Sequence, residues 1–170
     1  MKITLRISNQ SRRKYLYRRD VLKRIVERIC RREHVSDSVE VSVLFCDDAC
    51  IRQLNKTYRG IDRPTDVMAF PQEPVSLDGW RILGDLVISL ETVERRYPGD
   101  VVNMRNEVCL LFCHGMLHLL GYDHRTRHEK ETMMRAQAEV LGISLDAAWR
   151  QGKAPKRKPG TRSKKEGVAS

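Results

Sequence analysis

The longest apolar segment of this sequence runs from Asn103 to Leu120 and has the residue spacing of a helix. A helix that is apolar over most of its surface has to be enclosed by other parts of a domain. The segment ends at Gly121, a residue suited to the left-handed conformation that closes many helices. No segment approaches the roughly 18 uninterrupted apolar residues of a membrane span. The sequence therefore predicts a long central helix inside a folded domain.

Strand-like and helix-like patterns alternate along the rest of the chain. Residues 1–8 and 39–45 alternate between apolar and polar side chains, which is typical of half-buried strands. The other predicted elements are strands over 66–70 and 83–90, helices over 16–34, 47–58 and 128–141, a short helix ending near 98, and a loop over 71–80. This order predicts an α/β (α+β) domain with a small mixed β-sheet packed against helices.

The net charge of +10 is unevenly distributed. Residues 1–35 hold twelve Lys/Arg against three Asp/Glu, residues 36–149 twelve against eighteen, and residues 150–170 eight against one. Basic flanks on an acidic body favour a polyanionic partner, RNA or DNA. A membrane partner is disfavoured because the C-terminal segment has no apolar face to insert. We predict a folded domain over 1–150 and a disordered basic tail over 151–170.

The cysteines and the N-terminus indicate the compartment. Five cysteines without a Cys-x-x-Cys pair indicate reduced thiols rather than a disulfide framework. No signal peptide opens the chain, because charged residues interrupt its first segment before any apolar run. Both observations predict a cytoplasmic protein.

Three of the five histidines lie within eleven residues at the end of the long helix. His114 and His118 are four residues apart and therefore share one helix face. Gly121 allows a sharp turn, after which His124 can fold back as a third ligand. Three imidazoles leave one tetrahedral position open for water, which is typical of catalytic rather than structural zinc. The motif predicts one Zn²⁺ per chain, held by His114, His118 and His124.

The same spacing occurs in the metzincin proteases, H-E-x-x-H-x-x-G-x-x-H, with a difference at one position. The glutamate that serves those proteases as general base is replaced here by Gly115. Phosphodiester cleavage depends less on such a proton shuttle, because a metal and nearby cations can stabilise its charged transition state. Together with the basic flanks, the missing glutamate favours a nuclease over a protease.

The string HGMLHLLGYDH at residues 114–124 resembles the signature of the YbeY-type endoribonucleases, the ribosomal RNA maturation factors. Residues 58–60, 64–71 and 84–89 resemble that family's YRG, PTDVLSFP and GDLVIS segments, although Met68 and Ala69 replace its usual Leu and Ser. The resemblance covers about residues 1–145. It implies a metal-dependent, single-strand-specific endoribonuclease that acts in 3′-end maturation of small-subunit ribosomal RNA and in ribosome quality control. It also implies a sandwich-like α/β domain with the metal, usually zinc, at the mouth of a cleft.

The resemblance places the family's functional arginine on Arg59 and its metal ligands on His114, His118 and His124. At a helix end before a glycine turn, the Arg59 guanidinium can point into a cleft and bind phosphate through its fork of donors. The alternative is a surface arginine that bonds the carbonyls of the helix end. The implied partners are single-stranded ribosomal RNA and the small ribosomal subunit or its assembly factors.

Two other functions remain open at this point, a zinc peptidase and a non-catalytic RNA-binding assembly factor with a structural metal. The attacking group is also open between a metal-activated water and the neighbouring 2′-hydroxyl.

Three carboxylates are weaker candidates for the site. Glu107, two helical turns before His114, is a candidate to orient a ligand imidazole. Asp66 and Asp85 flank strands and are candidates to reach the cleft.

Overall fold

The computed structural model describes residues 1–73 and 75–150, so the predicted basic tail lies outside the described residues. The strands are β1 (Ile3–Asn9), β2 (Ser38–Cys46), β3 (Val67–Pro71), β4 (Ser76–Leu77) and β5 (Trp80–Ser89). The helices are α1 (Arg19–Arg32), α2 (Asp48–Arg59), α3 (Leu90–Arg96), α4 (Val101–Leu119), α5 (Arg127–Leu141) and α6 (Leu145–Trp149). The predicted fold class, a small mixed sheet packed with helices, is confirmed.

The sheet has the order β1-β2-β5-β3, with β4 paired to one end of β5. The β1/β2 and β2/β5 pairs are parallel, whereas β3 and β4 run antiparallel to β5. The strand β3 is therefore an edge of the sheet. Helix α4 packs against β3, β5, α1, α3 and α5, which makes it the centre of the domain, as predicted.

Side chains of successive residues in β5 alternate between two cores. Leu86 and Ile88 enter the larger core with α1, α4 and α5, whereas Val87 joins a smaller cluster with Ile51 of α2. This alternation follows from the two-residue repeat of a strand. Helix α2 therefore lies on the sheet face opposite to α4, and the end of α2 can reach α4 only around the edge strand β3.

The elements differ from the prediction where they are short. A 3₁₀ turn over Lys14–Leu16 precedes α1 as a separate element, and the helix predicted over 16–34 begins only at Arg19 and ends at Arg32. The two residues of β4 lie within the predicted loop over 71–80. Helix α6 has five residues, too few for a recognisable helical repeat. Among the described residues, no helix combines the length and the apolar character needed to cross a membrane.

Gly84 occupies a bulge of β5 that only glycine suits. The pairing register between β2 and β5 shifts between Glu40 and Val41. Gly84 has a φ of +136°, and a Cβ there would lie 2.2 Å from the carbonyl oxygen of Phe70. Since β3 and β5 meet at this point, the collision is with backbone and cannot be relieved by a side-chain rotation.

We expect Gly84→Ala to lower the free energy of unfolding by about 2–6 kcal/mol, from backbone strain of about 1–3 and overpacking of about 1–3 kcal/mol. Thermal unfolding followed by circular dichroism should show a melting temperature lower by roughly 4–24 °C. Gly99→Ala is the matched control, because Gly99 also has positive φ but a Cβ there would meet no atom within 4 Å. Equal losses in the two variants would contradict the role of the Phe70 contact.

Candidate metal centre

The end of α4 forms a tight turn that returns the chain toward its own last helical turn. Gly121 has a φ of +96°. Its N–H donates to the carbonyl of His118 (3.0 Å), and the N–H of Tyr122 donates to the carbonyl of Leu117 (3.0 Å). This pair of bonds is the Schellman pattern of a helix end. The predicted left-handed closure at Gly121 is therefore present, and it directs residues 122–124 back over the helix.

The turn brings three imidazoles together. His114, His118 and His124 each offer one ring nitrogen, and these three atoms lie within 4.8 Å of one another. His114 is the most deeply buried of the three, His118 is half-buried and His124 is exposed. The Nε2 atoms of His114 and His118 are 3.0 Å apart. The cluster can hold a metal ion whose remaining side faces solvent.

The hydrogen bonds of two rings fix which nitrogen faces the cluster. The Nδ1 of His114 is 2.6 Å from Oε1 of Gln137 on α5, and the Nδ1 of His118 is 2.8 Å from the carbonyl oxygen of Tyr122. Both partners are acceptors, so both Nδ1 atoms carry the proton. The Nε2 atoms therefore present lone pairs to each other. Two lone pairs at this distance repel unless a cation lies between them, which fits a metal site.

Burial keeps the two helical imidazoles neutral. Burial, followed by the neighbouring His118, lowers the pKa of His114 to about 4, although the bond to Gln137 opposes this shift. Burial and then His124 also lower the pKa of His118, against the opposing bond to the Tyr122 carbonyl. A metal binds only the deprotonated nitrogen. Both side chains are thus in the ligand form at neutral pH before any metal arrives.

A second layer of contacts anchors the turn to α1. The Tyr122 hydroxyl donates to Glu33 (2.7 Å) and accepts from the Arg32 guanidinium (2.8 Å). Tyr122 also supplies the carbonyl that orients His118. The charged end of α1 therefore positions a metal-site imidazole through one tyrosine.

Arg59 reaches the histidines around the edge of the sheet. It is the last residue of α2, and Gly60 follows in the left-handed conformation with a φ of 69°. A pocket of about 670 Å³ is lined by Arg59, by the three histidines and by residues of the edge strand β3. Arg59 is exposed, and no carboxylate among residues 1–73 and 75–150 pairs with it. The predicted candidate arginine thus lines the pocket of the histidine cluster.

Comparison with known proteins assigns the chain to a family. The family model described as Endoribonuclease YbeY matches residues 6–144. The chain belongs to the YbeY endoribonuclease family. The resemblance seen in the sequence motifs is thereby confirmed.

Relatives of the YbeY family cover most of the chain. An Endoribonuclease YbeY of Pelotomaculum thermopropionicum is 44% identical over 126 residues, covering 72% of this chain and 83% of the relative. One of Moorella thermoacetica is 40% identical over 133 residues, covering 73% and 85%. The solution structure of TM1509 from Thermotoga maritima is 29% identical, with a TM-score of 0.50 over 94% of this chain and all of that one.

The weaker carboxylate candidates have different outcomes in this YbeY-family chain. Glu107 is buried and bonds Arg96 (3.1 Å) and the Tyr97 hydroxyl (3.4 Å), so it holds the end of α3 against α4. Asp85 is exposed on the α2 face of the sheet, away from the histidines, so its predicted place in the cleft is wrong. Asp66 does line the histidine pocket, where it pairs with Arg96 at 2.9 Å.

Gly115 explains why the protease glutamate has no place in this site. A Cβ at Gly115 would lie 2.7 Å from a methyl group of Leu86 and 3.4 Å from one of Val67. This part of α4 is in contact with the sheet, and a glutamate there would collide with β5. The position that carries the general base in the proteases is therefore a packing contact in this YbeY-family helix, and no observation favours the peptidase.

We expect Gln137→Met to weaken metal binding about 10- to 100-fold, because it removes the acceptor that orients His114. Gln137 is fully buried, and methionine preserves its volume. Gln137→Glu retains an acceptor and should bind metal nearly as the wild type does. A chelator competition titration measures the metal affinity, and thermal unfolding checks the fold. Equal affinities in the wild type and Gln137→Met would contradict the orienting role.

Proposed function

We propose that this chain is a metal-dependent endoribonuclease that cleaves single-stranded RNA with one Zn²⁺ held by His114, His118 and His124. The observation that carries the proposal is the pair of Nε2 atoms 3.0 Å apart in a solvent-open pocket, with an acceptor at the Nδ1 atom of each ring. Imidazole is a preferred zinc ligand, and a three-histidine site leaves one position for water or substrate. Membership of the YbeY family supports RNA as the substrate.

Each residue of the pocket has a separate task in this proposal. When bound, the metal supplies a Lewis acid and lowers the pKa of a water molecule. Arg59 binds the oxygens of the scissile phosphate through two parallel N–H groups and stabilises the negative charge that develops in the transition state. Gln137 and the Tyr122 carbonyl hold two of the imidazoles in fixed orientations, so that the site does not relax as that charge forms.

We further propose that the natural substrate is ribosomal RNA. The implied role is 3′-end maturation of the small-subunit RNA and ribosome quality control in the cytoplasm, with the small ribosomal subunit or its assembly factors as partners. Support comes from the motif resemblance over residues 114–124 and from the excess of twelve Lys/Arg over three Asp/Glu in residues 1–35. A basic surface supplies the phosphate affinity that RNA binding needs.

The proposal is tested by incubating the purified full chain with a labelled single-stranded RNA, a duplex of the same sequence and an unstructured peptide. We expect cleavage of the single strand, loss of cleavage after chelation, and recovery when Zn²⁺ is restored. Mapping of the product ends distinguishes a cyclic phosphate, left by the neighbouring 2′-hydroxyl, from the ends left by water attack.

Two results would overturn this assignment. Stoichiometric metal without cleavage of any RNA would favour the non-catalytic assembly factor with a structural metal. Chelator-sensitive cleavage of the peptide would favour the peptidase. A mock purification from cells that lack the chain controls for contaminating ribonuclease.

A further inference from the structure

A second pocket adjoins the histidine pocket and is lined by four arginines. It has a volume of about 510 Å³ and is lined by Arg59, Arg63, Arg95 and Arg96. We call it the arginine pocket. Arg59, Thr65 and Asp66 line both pockets, so the two are continuous at the edge of β3.

Two of the four arginines are already engaged by carboxylates. Arg95 pairs with Asp48 at the start of α2. Arg96 pairs with Asp66 (2.9 Å) and with Glu107 (3.1 Å). These ion pairs hold α3 against its neighbours, and they compensate the charge of both arginines within the fold.

The other two arginines have no such partner. Arg59 and Arg63 are exposed, and no carboxylate in the part of the chain that the structure describes forms an ion pair with either. Asp62, which lies between them in sequence, pairs with Arg52 (2.8 Å) and Lys56 (3.9 Å) instead. The arginine pocket therefore carries two uncompensated guanidinium groups, which suits an anion with several oxygens.

The turn that carries Arg63 is fixed from beneath. Asn55 of α2 is 3% exposed, and its side-chain N–H₂ donates to the backbone carbonyl of Arg63 at 2.9 Å. The carbonyl oxygen of the Asn55 side chain has no hydrogen-bond partner in the described residues. Thr65 also lines the pocket. Arg63 thus projects from a held turn and not from a free loop.

The basic helix α1 also holds cations without an ion pair in the described residues (Arg19, Lys23, Arg28 and Arg31), but none of these lines the histidine pocket. Arg18 and Arg24 pair with Asp20, and Arg32 pairs with Glu33 and Glu139. The arginine pocket, in contrast, holds its uncompensated cations directly beside the histidine pocket.

We propose that the arginine pocket is a binding subsite for a second phosphate of the RNA strand, next to the phosphate held at the histidine cluster, with Arg63 as its principal side chain. This inference rests on the proposed function, because it assigns the path of the same substrate. Arg59 lies at the junction of the two subsites. Arg63 contacts the strand away from the scissile bond and contributes to binding alone.

The test compares Arg63→Ala, Arg63→Lys and the wild type in binding a short labelled single-stranded RNA by fluorescence anisotropy over a range of salt. Loss of one phosphate contact reduces the slope of log affinity against log salt by about 0.7, equivalent to about fivefold weaker binding at about 0.1 M salt. Arg63→Lys should retain the slope. Arg135→Ala is the matched control, because Arg135 is exposed on α5 and lines neither pocket.

Cleavage kinetics supply an independent readout. Arg63→Ala should raise KM with kcat unchanged, as for a contact made equally in the ground state and the transition state. If Arg63→Ala has the same salt slope of RNA affinity and the same KM as Arg135→Ala, the inference is overturned while the proposed function stays intact. Failure of the wild type to cleave RNA, with the Arg63 effect on the binding slope retained, would contradict the proposed function alone.

A titration with inorganic phosphate distinguishes a site for a free phosphate anion from a site for a phosphate of the RNA strand. Inorganic phosphate is titrated into the wild type and Arg63→Ala, with binding followed by isothermal calorimetry. Phosphate binding that is lost in Arg63→Ala, with no change in RNA affinity or salt slope, would show a site for a free anion and overturn the strand subsite. A parallel loss of RNA affinity supports it.

Discussion

The double variant His114→Ala/His118→Ala is expected to lose its metal and its RNA cleavage together. The two side chains provide the facing lone pairs of the cluster, and His124 alone is an exposed single ligand. Removing one hydrogen-bond donor that stabilises the charge of a transition state lowers the rate about 10²- to 10³-fold. This variant loses the metal cation itself. We therefore expect cleavage to fall by more than about 10³-fold. Elemental analysis of the purified protein measures the metal, and single-turnover cleavage of single-stranded RNA measures the activity.

His128→Ala is the matched control for this variant. His128 is exposed at the start of α5 and is outside the histidine cluster. It should retain one metal per chain and full cleavage. Thermal unfolding with the metal removed from all samples checks that the two alanines leave the apoprotein folded. Full cleavage by the double variant would contradict a catalytic metal, whereas loss of metal in a protein whose wild type cleaves nothing would leave the metal as a structural element.

The local part of the site could be predicted from the sequence, because local geometry determines it. His114 and His118 share a helix face whatever surrounds them, and Gly121 permits the turn that returns His124. Arg59 could be predicted as a candidate from its place before Gly60 and from the resemblance. These residues lie in two short segments, and the residue pattern within each segment is enough to identify its candidates.

The residues that orient the imidazoles could not be predicted in this way. Gln137 lies on a different helix from His114, and its contact depends on how α4 and α5 pack. The Tyr122 contact with Glu33 joins residues 89 positions apart. A buried glutamine on an amphipathic helix is a usable signal, since a buried amide requires partners. The sequence does not identify which partner it meets.

The outcomes for Glu107 and Asp85 have geometric causes. Residues seven apart on a helix share a face but lie about 10 Å apart along the axis, so Glu107 is two turns away from His114 and meets Arg96 of α3. Asp85 lies two residues before Val87 in β5, so both side chains are on the α2 side of the sheet. The alternation of β5 was visible in the sequence, but the face that α4 covers was not.

Arg59→Ala is expected to lower kcat about 10²- to 10³-fold while the metal content stays at the wild-type level. This range is the loss expected when one donor to a developing charge is removed. Arg59 is exposed, and its side chain contacts none of the three histidines by a hydrogen bond in the described residues. The fold and the metal cluster should therefore tolerate the change. Single-turnover cleavage at saturating protein measures the chemical step, and elemental analysis measures the metal.

The variant Arg59→Lys separates charge from geometry at the same position. Lysine keeps the positive charge but loses the planar fork that binds two phosphate oxygens at once, so we expect only partial recovery of kcat. A comparison of the kinetic effects at Arg59 and Arg63 shows where the scissile phosphate lies. A change at Arg59 that raises KM alone would make it a binding residue like Arg63, and the transition-state charge would then fall on the metal centre alone. A fall in kcat at Arg59 with a rise in KM at Arg63 places the scissile phosphate between Arg59 and the histidines.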